Sequence, residues 1–134
     1  MGQSVQIPGG SITREAARDL SDYLYHAMKI TSNEQVDYAD TSEGDVAIGV
    51  LHSKPEAEGS EAEIVTRGTS LLRVDGEEAN VVPGDHLGSN LDYHGVKVTS
   101  DKDLYFCIAL EPSNADNDLT EVLLVGPRYL RVPA

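Results

Sequence analysis

Apolar residues fall in short runs separated by turn residues, and within several runs every second position is apolar, the period of a half-buried strand. Tyr23, Tyr25 and Ala27, continued less regularly by Met28 and Ile30, mark a strand rich in aromatic side chains, and Val36 to Ala39 marks a second. Val46 to Leu51 is nearly all apolar with Gly49 inside it, which predicts a buried strand with a bulge or a close approach of another backbone. Ala62 to Arg67 alternates into a strand, Gly68 breaks it, and Leu71 to Val74 resumes. Val81-Val82, His86 to Ser89, Val96 to Thr99, Tyr105 to Leu110, Leu119 to Val125 and Tyr129 to Val132 complete the series. About ten short strands spaced about eight to twelve residues apart, with turn chemistry between them, predict an all-β fold, a small β-barrel or sandwich. Helix has little place in this pattern: Thr13 fits the N-cap of a short helical turn over Arg14 to Arg18, and the same residues equally suit an irregular approach to a strand.

The centre of the pattern is the stretch Ala79 to Val98. Proline presets φ at Pro83, Gly84 is free to take a positive φ, and the Asp85 side chain can cap the bend, so Val82 to Asp85 is a β-turn between short strands. Around it the chain reads nearly the same way twice. Laying Asp45 to Val74 over Asp103 to Val132 without a gap aligns Asp45 with Asp103, Glu63 with Glu121, Gly68 with Gly126 and Leu72-Arg73-Val74 with Leu130-Arg131-Val132. The match has two explanations, an internal duplication or the general likeness of strand-loop-strand patterns.

The chain has 134 residues, which suits one domain burying roughly two-thirds of its unfolded surface. Residues 1–12 are an extended N-terminal arm: Val5 and Ile7 are the apolar anchors before Pro8-Gly9-Gly10, too few to fold upon themselves, so the arm orders only against something else. Residues 13–134 form the β-rich domain. The single cysteine, Cys107, lies within an apolar run and reads as a buried structural thiol. A formal charge of -13 with ten basic residues repels phosphate backbones and anionic lipids, which sets aside nucleic acid and membranes as partners. The apolar runs fall short of a membrane span, and the first residues have no basic leader, so synthesis in a cytoplasm is expected.

Candidate chemistry does not add up to a site. His26, His52, His86 and His94 lack the local spacing of metal ligands; His86 and His94 flank one turn region and could approach each other, but a surface or half-buried histidine is the better reading. Ser70 and Ser89 sit in no nucleophile elbow. The 23 carboxylates suit a solvated face better than a catalytic pair. No Gly-Lys dipeptide supports a phosphate-binding loop, and the central turn carries no lysine for a swinging cofactor. Neither catalytic residues, nor a metal, nor a cofactor are expected.

Glu15-Ala16-Ala17-Arg18-Asp19-Leu20-Ser21 leading into Tyr25-His26-Ala27-Met28-Lys29-Ile30, then Ala47 to Leu51 with Lys54-Pro55 beyond, resembles the small capsid decoration, or cement, proteins of tailed bacteriophages. Pro83 to Ser89, Ile108 to Glu111 and Glu121 to Leu124 resemble the second half of that family, so the likeness runs from about Glu15 to Val125. This chain departs from the family in its acidity, in Ala17-Arg18 where a glycine turn is usual, and in its extension from Gly126 to Val132. The resemblance implies a virion protein and not an enzyme: a β-rich homotrimer on the outer capsid surface, bound to the major capsid protein and clamping neighbouring capsomers. Under it, Val5, Ile7 and Pro8 of the arm are the capsid-binding residues, and Leu87, Leu91 and Tyr93 near the central turn are the protomer interface. The acidic loops Glu56 to Glu63 and Asp116 to Asp118 then face solvent. A free-standing β-barrel binding a sugar or a metal is the alternative, for which six tyrosines, no tryptophan and the single Phe106 are thin equipment.

Overall fold

The fold is that of a computed structural model and is described for residues 10–133. Ten strands follow one another: β1 (Ser11–Glu15), β2 (Ala27–Ile30), β3 (Val36–Tyr38), β4 (Gly49–Leu51), β5 (Glu61–Val65), β6 (Gly68–Val74), β7 (His86–Ser89), β8 (Gly95–Lys97), β9 (Leu104–Ala109) and β10 (Asp118–Tyr129). One 3₁₀ turn, Thr41–Glu43, interrupts them, and among the described residues there is no α-helix. The fold is all-β, as the alternation predicts. Five strands form a sheet in the order β1-β5-β4-β2-β3, and the other five close a barrel in the order β10-β6-β8-β7-β9. Every pairing between these strands is antiparallel except that of β6 with β8.

Two cores arise from this division. Leu20, Met28, Val36, Leu51, Ala62 and Ile64 fill the curve of the first sheet. Phe106, Leu72, Leu87, Cys107 and Val122 fill the barrel, joined by Val50 and Val65 from the first sheet. The β4–β5 hairpin is therefore apolar on both faces because both are covered: Leu51 and Ile64 look into one core, Val50 and Val65 into the other. At Gly49 the close approach expected from its sequence is present, since a side chain there would collide with the Val65 carbonyl. Cys107 is fully buried, and desolvation pushes its thiol up.

The overlay of the two halves holds in hydrogen-bond register. Val50 pairs with Val65 and Leu51 with Ile64; the overlaid residues Ile108 with Leu123 and Ala109 with Val122 pair in the same way. The His52 N–H donates to the Glu63 carbonyl at 2.8 Å, and the overlaid Leu110 N–H donates to the Glu121 carbonyl at 2.9 Å. Gly68 and Gly126, also aligned, have φ of 86° and 85°. At these glycines the halves diverge: the chain leaves β5 and restarts as β6 in the barrel, whereas β10 runs on through an irregularity between Leu124 and Arg128.

Several boundaries move. Ser11–Glu15 is a strand paired along its length with β5, so the helical turn over 14–18 does not form and residues 11 and 12 belong to the sheet. The strand expected from Tyr23 starts at Ala27, because Tyr25 takes φ of 66° in the preceding turn. Val81 makes a single bridge to Ser113 in place of a strand, and Tyr129 is the end of β10, not the start of another strand. The central turn forms as read: Gly84 has φ of 98°, and the Asp85 carboxylate accepts from the Val82 N–H at 2.9 Å. No helix among the described residues is long and apolar enough to cross a membrane.

Candidate functional site

The two β units meet at a seam built from side chains far apart in sequence. The 3₁₀ turn of the first unit and β7 of the barrel are clasped by paired contacts: the Ser89 hydroxyl donates to the Ala39 carbonyl at 2.7 Å and accepts from the Thr41 N–H at 3.0 Å, while the Ser89 N–H donates to the Thr41 hydroxyl at 2.7 Å. On another part of the seam the hairpin tip between β7 and β8 brings Tyr93 and His94 against Tyr23, His26 and Tyr38. Tyr93 adopts φ of 65°, which turns its ring onto Tyr38 with centroids 3.9 Å apart and planes at 10°. Tyr23 packs at an angle to both, at 5.2 and 5.8 Å. Arg18 lies 4.7 Å from the Tyr38 ring centre, donates to the Tyr38 hydroxyl at 2.9 Å and grips Asp37 through two nitrogens at 2.9 and 3.0 Å. Desolvation, then the hydrogen bond with Tyr38, pushes the Tyr93 phenol up to about 12.

Beneath the tyrosines, the rings of His26 and His94 are 4.9 Å apart. His94 Nδ1 is 2.9 Å from an Asp116 oxygen, and His26 Nδ1 is 3.0 Å from the Leu24 carbonyl. Desolvation lowers the affinity of His26 for a proton, with His94 and Arg73 adding to it against the Leu24 and Tyr23 carbonyls. His52, directly after β4, is lowered by desolvation as well, opposed by Glu63. Both then bind protons more readily in the unfolded chain, so stability is full above about pH 6.5 and falls as pH drops below it. Urea midpoints measured between about pH 7 and about pH 5 should therefore decline, and the decline should shrink in His52→Gln. An unchanged slope in that variant would remove His52 from the explanation.

Of the interface residues expected from the sequence, the structure keeps one inside. Leu87 is fully buried in the barrel core, since the alternation of β7 turns it inward, and its side chain is closed to a neighbouring protomer. Leu91 is 72% exposed at the β7–β8 tip, and Tyr93 is half-buried in the stack with Tyr38. Val5, Ile7 and Pro8 lie outside the described residues. His86 does not meet His94; it packs against Tyr105 with ring centres 4.6 Å apart.

One arrangement resembles a nucleophile with its base. His52 Nε2 is 2.7 Å from the Ser70 hydroxyl, which itself lies 2.9 Å from the Leu71 carbonyl. With its hydrogen on that carbonyl, Ser70 accepts from the imidazole, the reverse of an activated nucleophile. Among the described residues no group of three or more His, Cys, Asp or Glu side chains is placed to hold a metal.

A further surface is hidden from the sequence pattern. On β10 Thr120, Val122 and Leu124 point into the barrel, which turns Leu119 and Leu123 outward, 40% and 38% exposed. Its signal is leucine on both faces of one strand, which reads equally as a strand covered on both sides.

No protein-family model matches the sequence, and no curated protein matches it significantly. Among solved structures, the N base of head fibre gp8.5 of bacteriophage phi29 superposes with a TM-score of 0.64, covering 86% of this chain and 92% of that one at 13% identity. The two chains share a fold. The shared part takes in nearly all of both, the sheet and the barrel together.

Proposed function

We propose that the chain is a structural protein of a tailed-phage virion, a decoration or cement protein that binds the outer surface of the assembled head and stabilises contacts between capsomers. The observation that carries this reading is the fold shared with the phi29 head fibre base over almost the full length of both chains. The resemblance of Glu15 to Val125 to phage decoration proteins supports it from the sequence side. The partners are the major capsid protein and further copies of the chain as a homotrimer, with the arm residues Val5, Ile7 and Pro8 reaching onto the shell.

Such a protein acts by linkage. It binds the assembled lattice and not separate subunits, so its binding free energy adds to that of the lattice. Modest contacts suffice when they are repeated over a shell. The test is co-sedimentation with expanded phage heads and with isolated capsid subunits. The full chain should pellet with heads and stay in solution with subunits; a chain that ignores heads overturns the proposal. A version lacking residues 1–10 should bind heads less tightly, and equal binding would take the arm out of the account.

A further inference from the structure

The two halves of the overlay treat the same pair of positions differently. Val50 and Val65 face each other across β4 and β5 and point away from the interior of the first sheet. They are not left to solvent, because the barrel covers them and Val65 is only 6% exposed. Ile108 and Leu123 occupy the equivalent positions, in the same register, and point away from the interior of the barrel. Leu123 has no such cover and is 38% exposed. Thr69 and Ile108 stand beside it on the flanking strands; two residues back Glu121 stands between Leu71 on β6 and Leu110 just past β9, and Leu119 lies beyond, so the patch spans three strands around Glu121.

The charge on this face differs from that of the molecule. On a chain of formal charge -13, the patch carries one base, Arg73, and two acids, Glu121 and Glu111, whose carboxylate accepts from the Glu121 N–H at 2.8 Å. None of the three is in an ion pair within the described residues; Arg73 donates to the Asn117 carbonyl at 3.1 Å. Two copies of so acidic a chain repel wherever their acidic surfaces come within a Debye length, about 8–10 Å. A largely apolar face with two acids and one base is far less acidic than the rest of the chain and lets them meet, and Arg73 of one copy is complementary to the carboxylates of the next.

We propose that the outer face of β6, β10 and β9 is the surface through which copies of this chain associate. The leucines turn towards the symmetry axis, and Arg73 of one copy reaches Glu121 of the next. In this arrangement a second copy gives Ile108 and Leu123 the cover that the barrel gives Val50 and Val65. The inference deepens the homotrimer of the reading above and rests on it only for the number of copies.

The experiment uses the full chain alone, by light scattering and sedimentation over a range of concentrations, with no heads present. The parent chain should associate, and Leu123→Glu should weaken association about tenfold or more. Near-UV circular dichroism and a cooperative melt establish that the variant is folded. Should it not fold, Leu119→Glu and the charge reversals Arg73→Glu and Glu121→Arg replace it, each reversal weakening association and the two together restoring it. A parent that stays a single chain overturns the inference. So do folded variants that associate as the parent does, and so does Leu91→Glu if it alone dissociates the chain, since that places the contact at the β7–β8 tip. An associating chain that ignores heads leaves this surface standing and removes the virion reading; a single chain that pellets with heads does the opposite.

Discussion

Truncating Phe106 to alanine should lower the unfolding free energy by about 3–5 kcal/mol, the range for removing a large aromatic side chain from a closed core. Phe106 is the one phenylalanine of the chain and is 1% exposed on β9. It belongs to the cluster that contains Leu72, Leu87 and Val122 of the barrel together with Val50 and Val65 of the first sheet, so its loss loosens both the barrel and the seam. A barrel held by hydrogen bonds on both sides of each strand cannot shrink to fill the gap, which places the cost towards the upper end. Against a total of about 5–15 kcal/mol for a domain, the shift should be plain in a urea titration. A loss below about 1 kcal/mol would mean that the core collapses freely around the site, contrary to the packing described.

The other large effect is expected at Gly49, where the smallest possible side chain is already too much. A methyl group there would meet the Val65 carbonyl oxygen and the Ile64 side chain, and the carbonyl belongs to the paired strand itself. A ladder backbone does not move aside as a flexible side chain can. Gly49→Ala should therefore cost about 3 kcal/mol or more, the upper end for overpacking. The same titration reads it, together with the near-UV signal of the tyrosines at the seam. A variant within about 1 kcal/mol of the parent would show that β4 and β5 are not held this closely.

The all-β class and most of the strands are legible in the sequence because alternation and turn residues act locally. Pro83, Gly84 and Asp85 each do at the turn what their covalent structure allows. The repeated hairpin is legible for the same reason: Gly68 and Gly126 mark equivalent left-handed positions, and the register goes with them. Long-range relations are not legible. Nothing near Tyr93 in the sequence announces Tyr38 as its stacking partner, since the two sit in different β units. Leu87 reads as an interface residue because its neighbours form a turn, although the alternation of β7 sends it inward. Leu119 and Leu123 belong to a strand with leucine on both faces, a pattern that does not tell which face lacks cover. Which face lacks its cover is a property of the assembled sheets, and only the topology shows it.

The strand order also sets a timetable for folding. Every strand of the first sheet lies between Ser11 and Val65, so that sheet has all its parts once the first half of the chain exists. The barrel has no such independence: β6, its first strand, is hydrogen-bonded to β10, its last, and β9 leans on β10 from the other side. Until β10 is made, two barrel strands present bare edges, of the kind that recruit other chains. During synthesis the finished first sheet stands beside an open barrel, with Val50 and Val65 waiting for the surface that will cover them. Of these ten strands, the one made last is thus the one that seals the barrel.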